Sequence, residues 1–148
     1  MAWSSAWRRR AAFAAGLDRS DWLALAEAWV RLAGASMSLG RRAGAALEPV
    51  PAAGAAETDG CPCDRATGER LHRLVAAAAR LHVVRPRCLA RALVLRDMLA
   101  RRGIPTTVRV GVVRDGEGVA AHAWLAGPAG PVGESPELLA GFHPLRSE

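Results

Sequence analysis

Residues 85–114 read RPRCLARALVLRDMLARRGIPTTVRVGVVR, and within them the spacing of apolar side chains changes period. Pro86 lacks an N–H and disfavours helical geometry in Arg85, so a helix is predicted to start just behind it. Leu89, Ala92, Leu93, Arg96 and Leu99/Ala100 mark a repeat of three and four, with Gly103 as C-cap and Pro105 beyond it. From Thr106 the pattern alternates, with Val108, Val110 and Val112 on one side, which predicts a strand. A single cysteine, Cys88, falls in the first turn of the predicted helix.

Toward the C-terminus the alternation continues. DGEG at 115–118 is a turn, and VAAHAWLAG at 119–127 is a second strand with His122 and Trp124 on one face. GPAG makes another turn, and PVGE at 131–134 reads as a short third strand. Phe142 and Leu145 are expected to close the core behind it. Toward the N-terminus the pattern is helical. ATGERLHRLVAAAARLHVV has an apolar face of Leu71, Leu74, Val75, Ala78 and Leu81, with its start expected at Asp64–Thr67 or Thr67–Arg70. SDWLALAEAWVRLAGASMSL repeats Trp22, Leu25, Ala26, Trp29, Leu32 and Ala33, capped by Ser20 or Asp21, and both tryptophans are expected in the core. Helices followed by an antiparallel β-meander give the α+β class.

The chain has 148 residues, which is most simply one domain large enough to bury its own core. Its expected layout is a helical part over 1–84, with a Gly- and Pro-rich loop at 40–64, followed by a catalytic core over 85–148. The net charge of +6 comes from arginine alone. Those arginines are spread along the chain and interleaved with acids, with no aromatic-basic motif, so no nucleic-acid partner is expected. The opening MAWSSAWRRRAAFAAGLDRSDW has a superficial twin-arginine look, but Asp18, Arg19 and Asp21 interrupt its apolar stretch. No uncharged run approaches the ~18 residues of a membrane span. Three cysteines, two of them in the CPC of Cys61 and Cys63, are too few for a disulfide scaffold and fit a reducing cytoplasm.

A thiol acts as a nucleophile in its ionised form, and the unpaired N–H groups of a helix start favour negative charge. Arg85 and Arg87 add positive potential beside Cys88. The same N–H groups could steady the oxyanion formed when a thiolate attacks an amide. His122 has no propensity reason to sit mid-strand, and on the head of the cysteine helix it would supply the base of a Cys–His pair. Glu134 could orient that imidazole. In a hairpin centred on Pro128, positions 122 and 134 oppose each other with Cβ atoms about 5 Å apart, although a register shift of one residue would send Glu134 to the other face. Each residue also has a plain reading: a packed small hydrophobe, a histidine beside a tryptophan, a solvated acid.

CLARALVLRDMLARRGIPTTVRVGVVR at 88–114, AHAWLAGPAGPVGE at 121–134 and FHPL at 142–145 together resemble the transglutaminase-like cysteine peptidases of lasso-peptide biosynthesis. The match is to the stand-alone leader peptidase of the split B-protein type. That family's pattern runs Cys-Leu, Arg/Gln-Ala-Leu, Gly-Ile-Pro, a strand ending in Gly-Val, and Ala-His-Ala-Trp. The resemblance is close over 85–145, while the earlier helices match in length and order only. It implies a papain/transglutaminase-like core with a triad of Cys88, His122 and an acid. The family's acid is usually the aspartate of an Asn-Asp pair; here the pair is Gly133-Glu134. The implied activity is removal of the leader from a ribosomal precursor peptide through a thioester. The implied partners are that precursor, a separate leader-binding protein and an asparagine-synthetase-like macrolactam cyclase. No cofactor or metal is implied. An acyltransferase on the same core and a non-catalytic peptide-binding protein remain as alternatives.

Arg91 stands where the family shows Arg or Gln, one helical turn from Cys88, so it shares the thiol's face or else faces solvent. Cys61, Cys63 and His72 lack the spacing of a structural zinc site and are expected to hold no metal. His82 and His143 are given no role.

Overall fold

The computed structural model describes residues 14–42, 62–83, 85–116 and 118–145, with the backbone alone at 38–42 and 62–63. Three helices, α1 (Arg19–Arg42), α2 (Pro62–Leu81) and α3 (Cys88–Ala100), precede the strands β1 (Thr107–Asp115), β2 (Gly118–Gly127) and β3 (Gly130–Pro131). A single helical turn, α4 (Pro136–Leu139), and the short strand β4 (His143–Pro144) complete the described chain. The sheet order is β3-β2-β1-β4, and every pairing is antiparallel. The predicted α+β order, helices and then a meander, is the order observed.

The core lies between the helices and one face of the sheet. Leu32 from α1, Leu74 and Val75 from α2, and Leu95, Met98 and Leu99 from α3 meet Ala123 and Leu125 from β2, with Val108 and Val110 of β1 packed alongside. Alternation puts Ala123 and Leu125 on the helix-facing side of β2 and His122 with Trp124 on the other.

α3 begins at Cys88, directly behind Pro86 as its sequence predicts. It ends in a Schellman turn: Gly103 has φ +74, the Ile104 amide donates to the Leu99 carbonyl (3.1 Å), and the Ile104 side chain is buried beyond it. Its buried residues are Ala90, Ala92, Val94, Leu95, Met98 and Leu99, so the covered arc is turned from the predicted repeat. α2 starts at Pro62, a first-turn position where a missing N–H costs nothing. Its predicted face is buried except at Leu81, which is exposed at the helix end.

α1 corrects the expectation for its tryptophans. Trp22 is 49 % exposed and Trp29 42 %, while Ala24, Leu25, Ala28 and Leu32 make the buried stripe. Asp21 heads that stripe at 7 % exposure, and the Arg70 guanidinium of α2 donates to it (2.6 Å) and to Asp18 (2.6 Å). This pairing and the small alanine face turn the helix so that the indoles lie on its flank. There Trp29 stacks on His82, with ring centroids 4.8 Å apart.

Two expectations near the C-terminus also change. β3 is two residues long instead of four, and Leu145 is exposed, although its amide donates to the Val110 carbonyl (2.8 Å). The expected 40–64 loop is occupied at its margins by α1 and α2. Its middle, with Cys61, lies outside the described residues, as does the Cys63 side chain. No described helix is long and apolar enough to cross a membrane.

Candidate active site

Cys88 is the first residue of α3, half-buried and with a free thiol. Arg87, extended at φ −66° and ψ 159°, occupies the N-cap position and provides no side-chain cap. The helix ladder first closes when the Arg91 amide donates to the Arg87 carbonyl (3.1 Å), so the amides of Cys88, Leu89 and Ala90 precede it. Packing of α3 on β2 fixes where this positive helix end lies.

His122 sits mid-way along β2, directly opposite Gly111 of β1. The glycine leaves room on that face. A Cβ at 111 would lie 2.8 Å from the Trp124 ring and 3.0 Å from the Phe142 Cβ. Trp124 and Phe142 thus wall the imidazole, at centroid distances of 6.1 and 5.5 Å. Phe142 serves this wall rather than the core.

The Nε2 of His122 lies 2.7 Å from Oε2 of Glu134, with side-chain exposures of 26 % and 14 %. An ionised carboxylate only accepts, so Nε2–H is the donor and Nδ1 is left as the ring's acceptor. The short distance is that of a charge-assisted bond.

Glu134 reaches the ring by a path different from the predicted one. The hairpin pairs Ala126 with Pro131 and Gly127 with Gly130, so its centre falls between 128 and 129 and position 134 does not oppose 122. The ladder continues as far as the Val132 amide, which donates to the Leu125 carbonyl (3.0 Å). Gly133, at φ +73, then turns the chain out of the strand and swings Glu134 onto His122. Glycine adopts that left-handed geometry freely, and asparagine, the usual residue at this place in the resembling peptidases, is among the few others that tolerate it.

Cys88, His122 and Glu134 line one shallow cleft, open to solvent, with His72, Arg91 and Trp124 also on its walls. Arg91 therefore faces the cleft, and its Nε is buried without a hydrogen-bond partner among the described residues. His72 of α2 was not singled out as a site residue by its sequence. Burial pushes its imidazole below the usual value; the Glu134 carboxylate draws it back up and the Arg91 charge adds to the lowering. The only sequence signal for it is a histidine on the flank of an otherwise apolar helix face. Among the described residues, no three His, Cys, Asp or Glu side chains are placed to hold a metal ion.

A thiol at a helix head and an imidazole with one nitrogen engaged by a carboxylate are parts that nucleophilic acyl chemistry uses. Helices backing an antiparallel sheet define an α+β protein, and the cleft that holds these groups is its candidate site. The chain belongs to the transglutaminase-like superfamily, whose model matches residues 22–147. No match is found among curated proteins or solved structures. Membership supports cysteine-dependent acyl chemistry of the peptidase or acyltransferase type.

Proposed function

We propose that this protein is a cysteine peptidase that cuts the leader from a ribosomally made lasso-peptide precursor in the cytoplasm. The observation that carries the reaction class is the 2.7 Å bond between His122 and Glu134 in the cleft that Cys88 also lines. The substrate class rests on the motif strings at 88–114, 121–134 and 142–145. Nδ1 of His122 takes the thiol proton, and the Cys88 sulfur attacks the carbonyl carbon of the last leader residue. The amides at the start of α3 steady the oxyanion. His122 returns its proton to the departing core amine as the C–N bond breaks. Water, activated by the same ring, then hydrolyses the thioester to a free leader acid. Glu134 keeps the imidazole oriented and balances its charge while it holds two protons. A separate leader-binding protein delivers the precursor, and an asparagine-synthetase-like cyclase uses the freed amine.

The test is cleavage of precursor by Cys88→Ala. Turnover should vanish, with far-UV circular dichroism and leader affinity close to wild type; retained cleavage would refute the mechanism. Mass spectrometry of the wild-type products separates hydrolysis from acyl transfer, because a free leader acid reports the former and an amine crosslink the latter.

A further inference from the structure

The acid is held by a turn, and that turn needs support. Gly133 is exposed, its φ is one that side chains disfavour, and the ladder before it is short, the two residues of β3 and the Val132 amide. The last hairpin bond, from the Val132 amide to the Leu125 carbonyl, falls before Gly133, so the direction in which Glu134 leaves is set beyond the ladder. The His72 ring lies directly against Gly133: a Cβ there would run into its Cγ, Nδ1 and Cβ. α2, which carries His72, is anchored in the core one residue before it by Leu71 and two and three residues after it by Leu74 and Val75. The ring is therefore a fixed wall.

We propose that His72 is a positioning residue: its ring closes over Gly133, locks the left-handed turn, and thereby aims the Glu134 carboxylate at His122. This rests on the triad reading above and adds to it a fourth side chain, which touches no reacting atom. The ring's flat shape matters because it lies along a backbone that has no side chain. Its neutrality matters too, since a charged imidazole at this place would compete with His122 for the same carboxylate. Burial and, more weakly, the nearby Arg91 favour the neutral form against the pull of Glu134. The charged or titratable groups that line the cleft around it are Cys88 and Arg91 from α3, His122 from β2, and Glu134 from the turn.

The experiment reads the His122–Glu134 bond itself. In the full-length chain labelled with 15N-histidine, the Nε2–H of His122 should give a downfield, slowly exchanging proton signal, assigned by its loss in His122→Ala and in Glu134→Ala. His72→Ala should abolish that signal while the far-UV circular dichroism stays native. His72→Phe, which keeps a flat ring, should retain it. Gly133→Ala, whose Cβ would displace the unmutated His72 ring, should abolish it as well, and it reads the same contact from the other side should His72→Ala fail to fold. A signal unchanged in folded His72→Ala, or unchanged in Gly133→Ala, would overturn the proposal, as would its loss in folded His72→Phe. None of these readouts needs a substrate. Failure of Cys88→Ala to stop cleavage would sink the peptidase reading and leave this result standing.

Discussion

At the scale of single residues, the site turns on which ring nitrogen is occupied. With Nε2 donating to Glu134, the imidazole has one tautomer to offer, and Nδ1 is the atom left to accept a proton. Glu134→Gln keeps the shape but removes the charge, and its amide group can present a donor where only an acceptor fits. Turnover should fall by about tenfold to a hundredfold, and His122→Ala should cost more, on the order of 10²–10⁴-fold. Steady-state kinetics on the precursor checks both, and unchanged turnover in Glu134→Gln would show that another acid serves. Cys88, His122 and Glu134, which the structure brings to one cleft, were legible as candidates because each is out of place locally: a thiol at a helix head, a histidine mid-strand, an acid just past a turn. His72 was not. Its partner Gly133 is far along the chain, and no period or motif reports a contact made by a ring against a bare backbone.

At the scale of elements, α1 shows where reading the spacing of apolar residues stops. The period of three and four identified a helix correctly, but two overlapping stripes fit the same letters. The stripe that won contains an acid. Asp21 is buried because Arg70 meets it, and docking through Ala24 and Ala28 lets the helices approach closely. The Asp18 carboxyl is held down at about 2 by the Ser20 hydroxyl, the Asp21 amide and Arg70; that of Asp21 is lowered chiefly by Arg70. Depressed carboxylates stabilise the fold above their unfolded value of about 3.9 and lose that contribution as the pH falls through their folded values. Arg70→Met should therefore melt below wild type at neutral pH. The gap should close between pH about 4 and about 2, where protonation removes the same interaction from the wild type. Because Arg70 is itself 45 % exposed, the gap should be modest and should shrink with added salt. A gap independent of pH in thermal melts would mean that Arg70 acts through its aliphatic stem.

At the scale of the whole molecule, the change of period near Thr106 was enough to order the fold, since a helix and an antiparallel strand leave different signatures in the letters. The length of β3 was not readable, because Pro131 and Val132 suit a strand while the departure is made by Gly133, whose φ no letter states. That early departure leaves β2 half-finished on its outer side. The Leu125 carbonyl points toward β3, so Ala123, Ala121 and Val119, in the same phase, point their amides to a side where no strand follows among the described residues. Ala120, His122 and Trp124 point theirs at β1. In deuterated solvent the amides of this one strand should consequently separate into alternate fast and slow exchangers, that of His122 among the slow, and uniform protection along 119–124 would reveal that something else covers the rim.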